Sequence, residues 1–166
     1  MRSLNLDPRI TERVHHALGE TLWHLQLFEE VLIHYITIVF KLSPGVAETE
    51  GLAVLERTGK QTLGALLKEL KKYESLSPGV EQRLQAFLEE RNWFVHRSRR
   101  ENHTDLYSHP AATNLLNRLD VLGNEALALS KEFQQLLVAY GKDNGIVTQE
   151  MLDKAVDKVL KDWGAI

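Results

Sequence analysis

Arg91, Asn92 and His96 are the residues of this chain best suited to phosphate chemistry. A guanidinium can hold an anion through several N–H groups, and an imidazole can transfer protons near neutral pH. Asn92 and His96 are four residues apart, so they share one face of a helix, where the amide can orient the imidazole or hold a phosphate oxygen. Together the three side chains form a minimal site for phosphate chemistry.

These residues lie in a segment, residues 80–98, that is predicted to form one amphipathic helix. Its apolar residues fall on one side of the helix: Leu84, Phe87, Leu88, Phe94 and Val95. Arg91 falls in the middle of that side, where a guanidinium needs an acid, a carbonyl cluster or an anionic ligand. One interpretation is an anion-binding Arg91. The other is an ion pair with an acid on the first long helix, such as Glu29 or Glu30, with His96 merely exposed.

The spacing of Arg91 and His96 raises a geometric question. On an ideal helix the two side chains are roughly 140° apart and about 7.5 Å apart in rise. A single copy therefore focuses both groups on one phosphate only if the helix is distorted near Trp93. Otherwise two copies must meet and share a site. Trp93 points away from the apolar side, so we expect it to be exposed and to contact a second copy or a stacked base.

A basic run follows the histidine and is the candidate RNA-binding surface. Between residues 91 and 100 there are four arginines, one histidine and no acid. Arg97, Arg99 and Arg100, with Trp93, are the candidate RNA-binding residues. The alternative is that these cations are solvated and complement the helix C-terminus. The net charge of −3 gives no general attraction to nucleic acid, so binding must depend on this local patch.

Two long helices are predicted from apolar residues that recur at alternating spacings of four and three. The first spans about residues 10–42, and the second follows Pro110 and ends near Gly141. A short helix near residues 62–73 and the helix of residues 80–98 lie between them. No segment alternates like a strand. The sequence therefore predicts an all-α fold, an antiparallel helical bundle with two long helices.

A last amphipathic helix, at about residues 148–164, is predicted to begin at Thr148 as its cap. Its apolar residues are expected to face inward: Leu152, Ala155, Val156, Val159, Leu160 and Trp163. A chain of 166 residues suits one domain, with a core at about residues 10–143 and this helix as an accessory.

The composition narrows the class of protein. The chain has no cysteine, and the histidines of the first long helix lack metal-binding spacing: His15, His16, His24 and His34. His103 and His109 lie with Asp105 in a predicted loop, where the alternatives are a metal site and simple solvation. We expect neither a metal nor another cofactor. No apolar run resembles a signal peptide or is long enough to span a bilayer, so the expected location is the cytoplasm and no membrane partner is expected.

The segment from Arg91 to His96 resembles the Arg-X4–6-His signature of the HEPN superfamily, including the polar residue directly after the arginine. Leu88-Glu89-Glu90 before it, Arg97 after it and the order of long and short helices are also similar to that family. The resemblance covers roughly residues 10–141. It implies an HEPN-like bundle and a metal-independent endoribonuclease with a composite site in a homodimer. It also implies that His96 is the general acid or base, that Arg91 stabilises the phosphorane charge, and that Asn92 positions His96 or the phosphate.

The resemblance further implies a toxin or defence effector that cleaves RNA to 2′,3′-cyclic phosphate ends, with a nucleotidyltransferase-type antitoxin as a partner. One branch of the family has a tyrosine two residues after the histidine, where the antitoxin modifies it, and here that residue is Ser98. The rival hypothesis is a non-catalytic HEPN-like module that binds a nucleotide or a protein. A nuclease requires Arg91 and His96 of two chains to converge on an accessible cleft. A structural role predicts that an acid pairs with Arg91 while His96 faces solvent.

Overall fold

The computed structural model describes residues 7–43, 45–73 and 76–162, apart from the side chains of residues 159 and 160. All its regular elements within those residues are helical. They are α1 (Pro8–Ile36), a π-helical turn (Thr37–Lys41), α2 (Glu48–Gly59), α3 (Leu63–Tyr73), α4 (Pro78–His96), α5 (Ser98–Asn102), a 3-10 turn (Asp105–Tyr107), α6 (His109–Asp143) and α7 (Gln149–Asp162). The predicted all-α class is confirmed for this part of the chain.

Both predicted long helices are present, and local signals explain where they begin and end. Asp7 caps α1 by accepting a hydrogen bond from the Arg9 backbone N–H, and Pro8 occupies the first turn. The π-helical turn continues α1 to Lys41, so the helical segment ends one residue before the predicted boundary. α6 ends at Asp143, just before Gly145, whose φ of +67° is a conformation that glycine adopts without strain.

The two long helices run in the same direction. In the N-terminal halves of the two helices, the Thr21 hydroxyl of α1 donates a hydrogen bond to the Leu119 carbonyl of α6 at 3.1 Å. Farther along, the rings of Tyr35 and Phe133 meet at 5.1 Å between centroids. The chain advances fourteen residues between these contacts on each helix, from 21 to 35 and from 119 to 133. α1 and α6 are therefore parallel, and the predicted antiparallel arrangement is wrong for this pair.

α4 runs antiparallel to both long helices. Along α4 from Arg83 to Glu90, its ion-pair partners on α6 move backwards, from Glu132 and Glu125 to Arg118. The segment between α1 and α4 forms two helices, α2 and α3, where only one was predicted. α2 was missed, although Glu48 and Glu50 in its first turn are a helix-start signal.

The core consists of two apolar clusters joined at Phe94. The larger cluster contains Phe28, Phe87 and Phe133, whose rings pack edge to face. The smaller cluster contains Val14, Trp93, Leu115 and Leu119 near the start of α1 and α6. Phe94 packs against both clusters, so the end of α4 is anchored at their junction. This packing holds the motif on a regular helix, one side of which is buried against the core.

α7 does not have the inward apolar face that the sequence predicts. Met151 and Val156 each expose 57% of their surface, and Ala155 is also exposed. The expected inward positions of Val159, Leu160 and Trp163 lie outside the described side chains. Local periodicity identified the helix, but of the predicted inward residues that the structure describes, Leu152 is half-buried while Ala155 and Val156 are exposed. None of the described helices has the length and apolarity needed to span a membrane.

Candidate functional site

Arg91 forms an ion pair with Glu29 of α1. The Glu29 Oε1 atom accepts a hydrogen bond from Arg91 Nε at 2.9 Å, and Arg91 Nη2 lies 2.8 Å from the same oxygen in the ion pair. The two side chains are only 21% and 28% exposed, which explains how an arginine is accommodated on the apolar side of α4. Glu29 is one of the two acids that the structural interpretation named. In a single chain, Arg91 thus has the protein partner that this interpretation predicts.

The Nη1 nitrogen of the Arg91 guanidinium has fewer close hydrogen-bond partners than Nε and Nη2. Nη1 makes a long contact of 3.5 Å to the Asn92 amide oxygen, whereas Glu29 takes Nε and Nη2. A guanidinium has five N–H donors, so donors remain at the Nη1 edge beside Asn92. Arg91 and Asn92 are therefore brought together, with Glu29 fixing the orientation of the guanidinium.

His96 is the last residue of α4, and its side chain is exposed. α4 stays α-helical from Pro78 through His96, and the helix breaks only at Arg97, with φ −127° and ψ −23°. The suggested distortion near Trp93 is therefore absent. On a regular helix Arg91 and His96 stay roughly 140° apart. One chain does not focus the two groups on a single phosphate.

Trp93 is buried, and its predicted exposure is wrong. It retains 1% of its accessible surface and packs with Val14, Leu115 and Leu119. Its indole Nε1 donates to Glu101 Oε2 at 2.9 Å, and the Arg118 guanidinium lies 3.4 Å from the ring centroid. The local pattern of α4 misplaced this residue because a second apolar cluster, built from distant parts of the chain, lies on that side. A base cannot stack on Trp93 in this arrangement.

The three other candidate RNA-binding arginines remain at the surface. Arg97 lies 3.9 Å from Glu101, which is at the outer limit for an ion pair. Arg99 and Arg100 are exposed on α5, and within the described part of the chain neither forms an ion pair. α5 turns away from α4 at Arg97, so these cations form a second short helical surface beside His96. The structure brings these arginines near His96 along the chain but leaves Arg91 on another side of α4.

Sequence reasoning missed Arg118 and Glu90, which fix the end of α4 on α6. Arg118 donates from Nε and Nη2 to the two oxygens of Glu90 at 2.8 and 2.9 Å. These hydrogen bonds lower the pKa of Glu90, against the opposing effect of burial. The same ion pair raises the pKa of Arg118. Twenty-eight residues separate the partners, so no local pattern in the sequence reveals the pair.

Among the described residues, no group of three or more histidine, cysteine or acidic side chains is arranged to hold a metal ion. Searches against known protein families, curated proteins and solved structures find no match to this chain. The resemblance to the HEPN superfamily thus depends on the motif and the helical order alone.

Proposed function

We propose that the chain is an HEPN-like endoribonuclease of the toxin or defence-effector type, acting in the cytoplasm. The observation that carries this proposal is the exposure of His96 at the end of α4, next to the three surface arginines of the adjoining segment, Arg97, Arg99 and Arg100. A histidine in such surroundings has access to a polyanion. No metal enters the proposed chemistry, because the histidine supplies the proton transfer and the arginine supplies the charge.

In the proposed reaction a ribose 2′-hydroxyl attacks the adjacent phosphorus, and the bond from phosphorus to the 5′-oxygen breaks. One His96 accepts the proton from the 2′-hydroxyl, and a second donates a proton to the departing 5′-oxygen. Arg91 stabilises the extra charge on the phosphorane, with Asn92 orienting the imidazole or a phosphate oxygen. The products are a 2′,3′-cyclic phosphate and a 5′-hydroxyl. DNA is not a substrate because it lacks the nucleophile.

A homodimer supplies the second histidine in this proposal. Leu22 on α1 and Val95 on α4 are 44% and 47% exposed. Leu22 lies two turns before Glu29, and Val95 lies one turn after Arg91, so each shares a helix face with its ion-pair residue. Because α1 and α4 are antiparallel, both apolar residues lie on the His96 side of the Glu29–Arg91 pair. A second copy that covers this patch brings two His96 residues toward each other.

A second candidate function is favoured by the Glu29–Arg91 ion pair. In a non-catalytic HEPN-like module, Arg91 ties α4 to α1, and the exposed cations bind a nucleotide or a protein partner. The pair satisfies Arg91 without any ligand, and His96 faces solvent in the single chain. The two candidates differ in whether His96 is needed for a chemical step.

The test is RNA cleavage by purified protein in EDTA, with wild type, Arg91→Ala and His96→Ala compared. His16→Ala is the matched control, since His16 is 80% exposed on α1 and lies outside the motif. We expect wild type and the control to produce 2′,3′-cyclic ends, and both motif variants to lose at least about 100-fold in rate. A substrate with a 2′-deoxyribose at the cleaved position should resist. Cleavage retained by His96→Ala contradicts the proposal, and RNA binding without cleavage supports the second candidate.

The proposed partner is a nucleotidyltransferase-type antitoxin, but Ser98 makes modification two residues after the histidine a poor fit. The Ser98 hydroxyl donates to the Phe94 carbonyl one turn earlier, so it is part of the helix termination. The antitoxin is therefore proposed to neutralise the nuclease by binding to its basic surface, without modifying a side chain. Co-expression with a candidate antitoxin, followed by mass measurement of the protein, distinguishes contact from covalent transfer.

A further inference from the structure

A cleft lies beside the motif but does not include it. It encloses about 380 Å³ between the first turns of α1, helix α5, the 3-10 turn and the start of α6. Four apolar side chains line it: Val14, Leu18, Leu106 and Leu115. Val14 and Leu115 belong to the buried cluster around Trp93, so this part of the cleft is a rigid wall. A cleft of this size and apolar lining suits one small ligand with a flat hydrophobic part.

The remaining lining residues are cationic or polar. They are His15, Ser98, Arg99, Asn102 and His103, and no acid lines the cleft. Of the acids next to it in sequence, Glu101 accepts from the Trp93 indole and Asp105 accepts from the Asn102 amide. Both carboxylates are held by groups other than Arg99. The charge of Arg99 is therefore left for an anion, with two imidazoles on the same lining.

We propose that this cleft binds an aromatic phosphate, namely a nucleoside monophosphate, either free or as the end of an RNA chain. The apolar wall accommodates the base, and Arg99 binds the phosphate, with His15 and His103 on the same lining. One arginine with two histidines matches a single phosphate group. The proposal does not depend on RNA cleavage, since Arg91, Asn92 and His96 are not among the lining residues.

The test is a titration of the full chain with 5′-AMP, in which binding is monitored through the imidazole NMR signals of His15 and His103. His15→Gln and His103→Gln assign the two signals among the seven histidines of the chain. Adenosine and inorganic phosphate are titrated separately, as probes of the two halves of the ligand. Arg99→Ala tests the phosphate contact, and Arg13→Ala is the matched control, because Arg13 is an exposed arginine of α1 outside the cleft lining and outside the candidate RNA-binding surface.

We expect saturable shifts of both signals with AMP. The affinity for AMP should fall at least about tenfold in Arg99→Ala and less than about twofold in Arg13→Ala. Adenosine and phosphate should each bind more weakly than AMP. Leu18→Phe, which narrows the cleft, should also weaken AMP binding. A 5′-phosphorylated dinucleotide that binds as tightly as AMP identifies an RNA end as the source, whereas exclusive binding of AMP identifies a free nucleotide.

Three outcomes would overturn the proposal. The first is an absence of saturable shifts at millimolar AMP. The second is equal weakening of AMP binding by Arg99→Ala and Arg13→Ala, which indicates nonspecific attraction to surface cations. The third is inorganic phosphate binding as tightly as AMP, which leaves the apolar wall without a role. Each readout is independent of nuclease activity, so a failed cleavage experiment and a failed titration remain distinguishable.

Discussion

The Arg118 guanidinium on α6 lies over the ring of Trp93 on α4, 3.4 Å from the ring centroid. The same guanidinium donates to both carboxylate oxygens of Glu90, one turn earlier on α4. A single cation thus contacts a π face and an anion on one helix, a cation–π contact combined with a bidentate ion pair. This arrangement fixes the last turns of α4 against α6 and thereby fixes the helix that carries the motif.

Trp93 should be a major contributor to stability. Trp93→Ala removes a fully buried ring and the Nε1–Glu101 hydrogen bond, and we expect a loss of about 3–5 kcal/mol in the free energy of unfolding. Trp93→Phe keeps most of the ring volume and should cost less. Urea unfolding followed by circular dichroism measures both. A change below about 1 kcal/mol for the alanine variant would show that this residue is exposed, as the local pattern of α4 predicted.

The Glu90 carboxylate should make stability depend on pH in the acid range. Hydrogen bonds from Arg118 hold its pKa below the ordinary value of 4.5. A group whose pKa is lower in the folded state stabilises the fold at pH values above its pKa in the unfolded chain. This stabilisation is lost as the pH falls through the pKa of the group in the folded protein. The free energy of unfolding of wild type should therefore fall more steeply below about pH 4.5 than that of Glu90→Gln.

Glu89→Gln is the control for this pH dependence. Glu89 is exposed on α4, and its hydrogen-bond partner is the neutral side chain of Gln85. Its variant should keep the wild-type slope between about pH 5 and 3. Equal slopes for wild type and Glu90→Gln would show that Arg118 does not favour the charged form of Glu90.

Glu29 and Glu30 offer a matched pair of substitutions on α1. Glu29→Gln weakens the partly buried ion pair with Arg91, and we expect a loss of about 1 kcal/mol in the free energy of unfolding. Glu30→Gln removes an exposed neighbouring carboxylate and should change stability by less than about 0.5 kcal/mol. Chemical denaturation of the two variants in parallel gives the comparison. Equal effects would mean that Glu29 is not the partner of Arg91.

Two glycines should respond to alanine in opposite directions. A Cβ at Gly19 in α1 meets no atom within 4 Å, so Gly19→Ala should stabilise the chain by about 0.5–1 kcal/mol. A Cβ at Gly141 in α6 would lie 2.8 Å from Val147 Cγ2, a stiff branched side chain, so Gly141→Ala should destabilise it by about 1 kcal/mol or more. Thermal unfolding compares the two, and a stabilising Gly141→Ala would contradict the close approach of Val147 to α6.

Most of the helices could be predicted from the sequence because their signals are local. Apolar spacing places α1 and α4 within a few residues of their observed bounds, and in the structure Asp7 and Ser77 cap these two helices. The apolar periodicity gave the wrong burial where the exposure of a residue depends on how distant parts of the chain pack. Trp93 is buried by α1 and α6 residues, and α7 has apolar residues that lie exposed although their spacing suggested an inward face.

For the candidate site, too, the sequence predicted the features that depend on residue type, and the packing of distant segments decided the rest. The residue types of Arg91, Asn92 and His96 are sufficient to suggest phosphate chemistry, and the need of Arg91 for a partner follows from its position on an apolar helix side. From the sequence that partner could be an acid, such as Glu29 or Glu30, a carbonyl cluster or an anionic ligand, and in the structure the packing of α4 on α1 pairs Arg91 with Glu29. The cleft beside Arg99 had no sequence signal, because its walls come from four separate segments.

By itself, then, the sequence determined the helical class, the helix carrying the motif and the chemistry that its side chains offer, since these depend on residue identity and on spacing within a few turns. The tertiary structure alone decided that α1 and α6 are parallel, that Trp93 is internal, that Glu29 holds Arg91 and that Arg99 lines a cleft. Those outcomes depend on which distant surfaces pack together, and packing is set by the complementarity of whole helix faces rather than by any local run of residues.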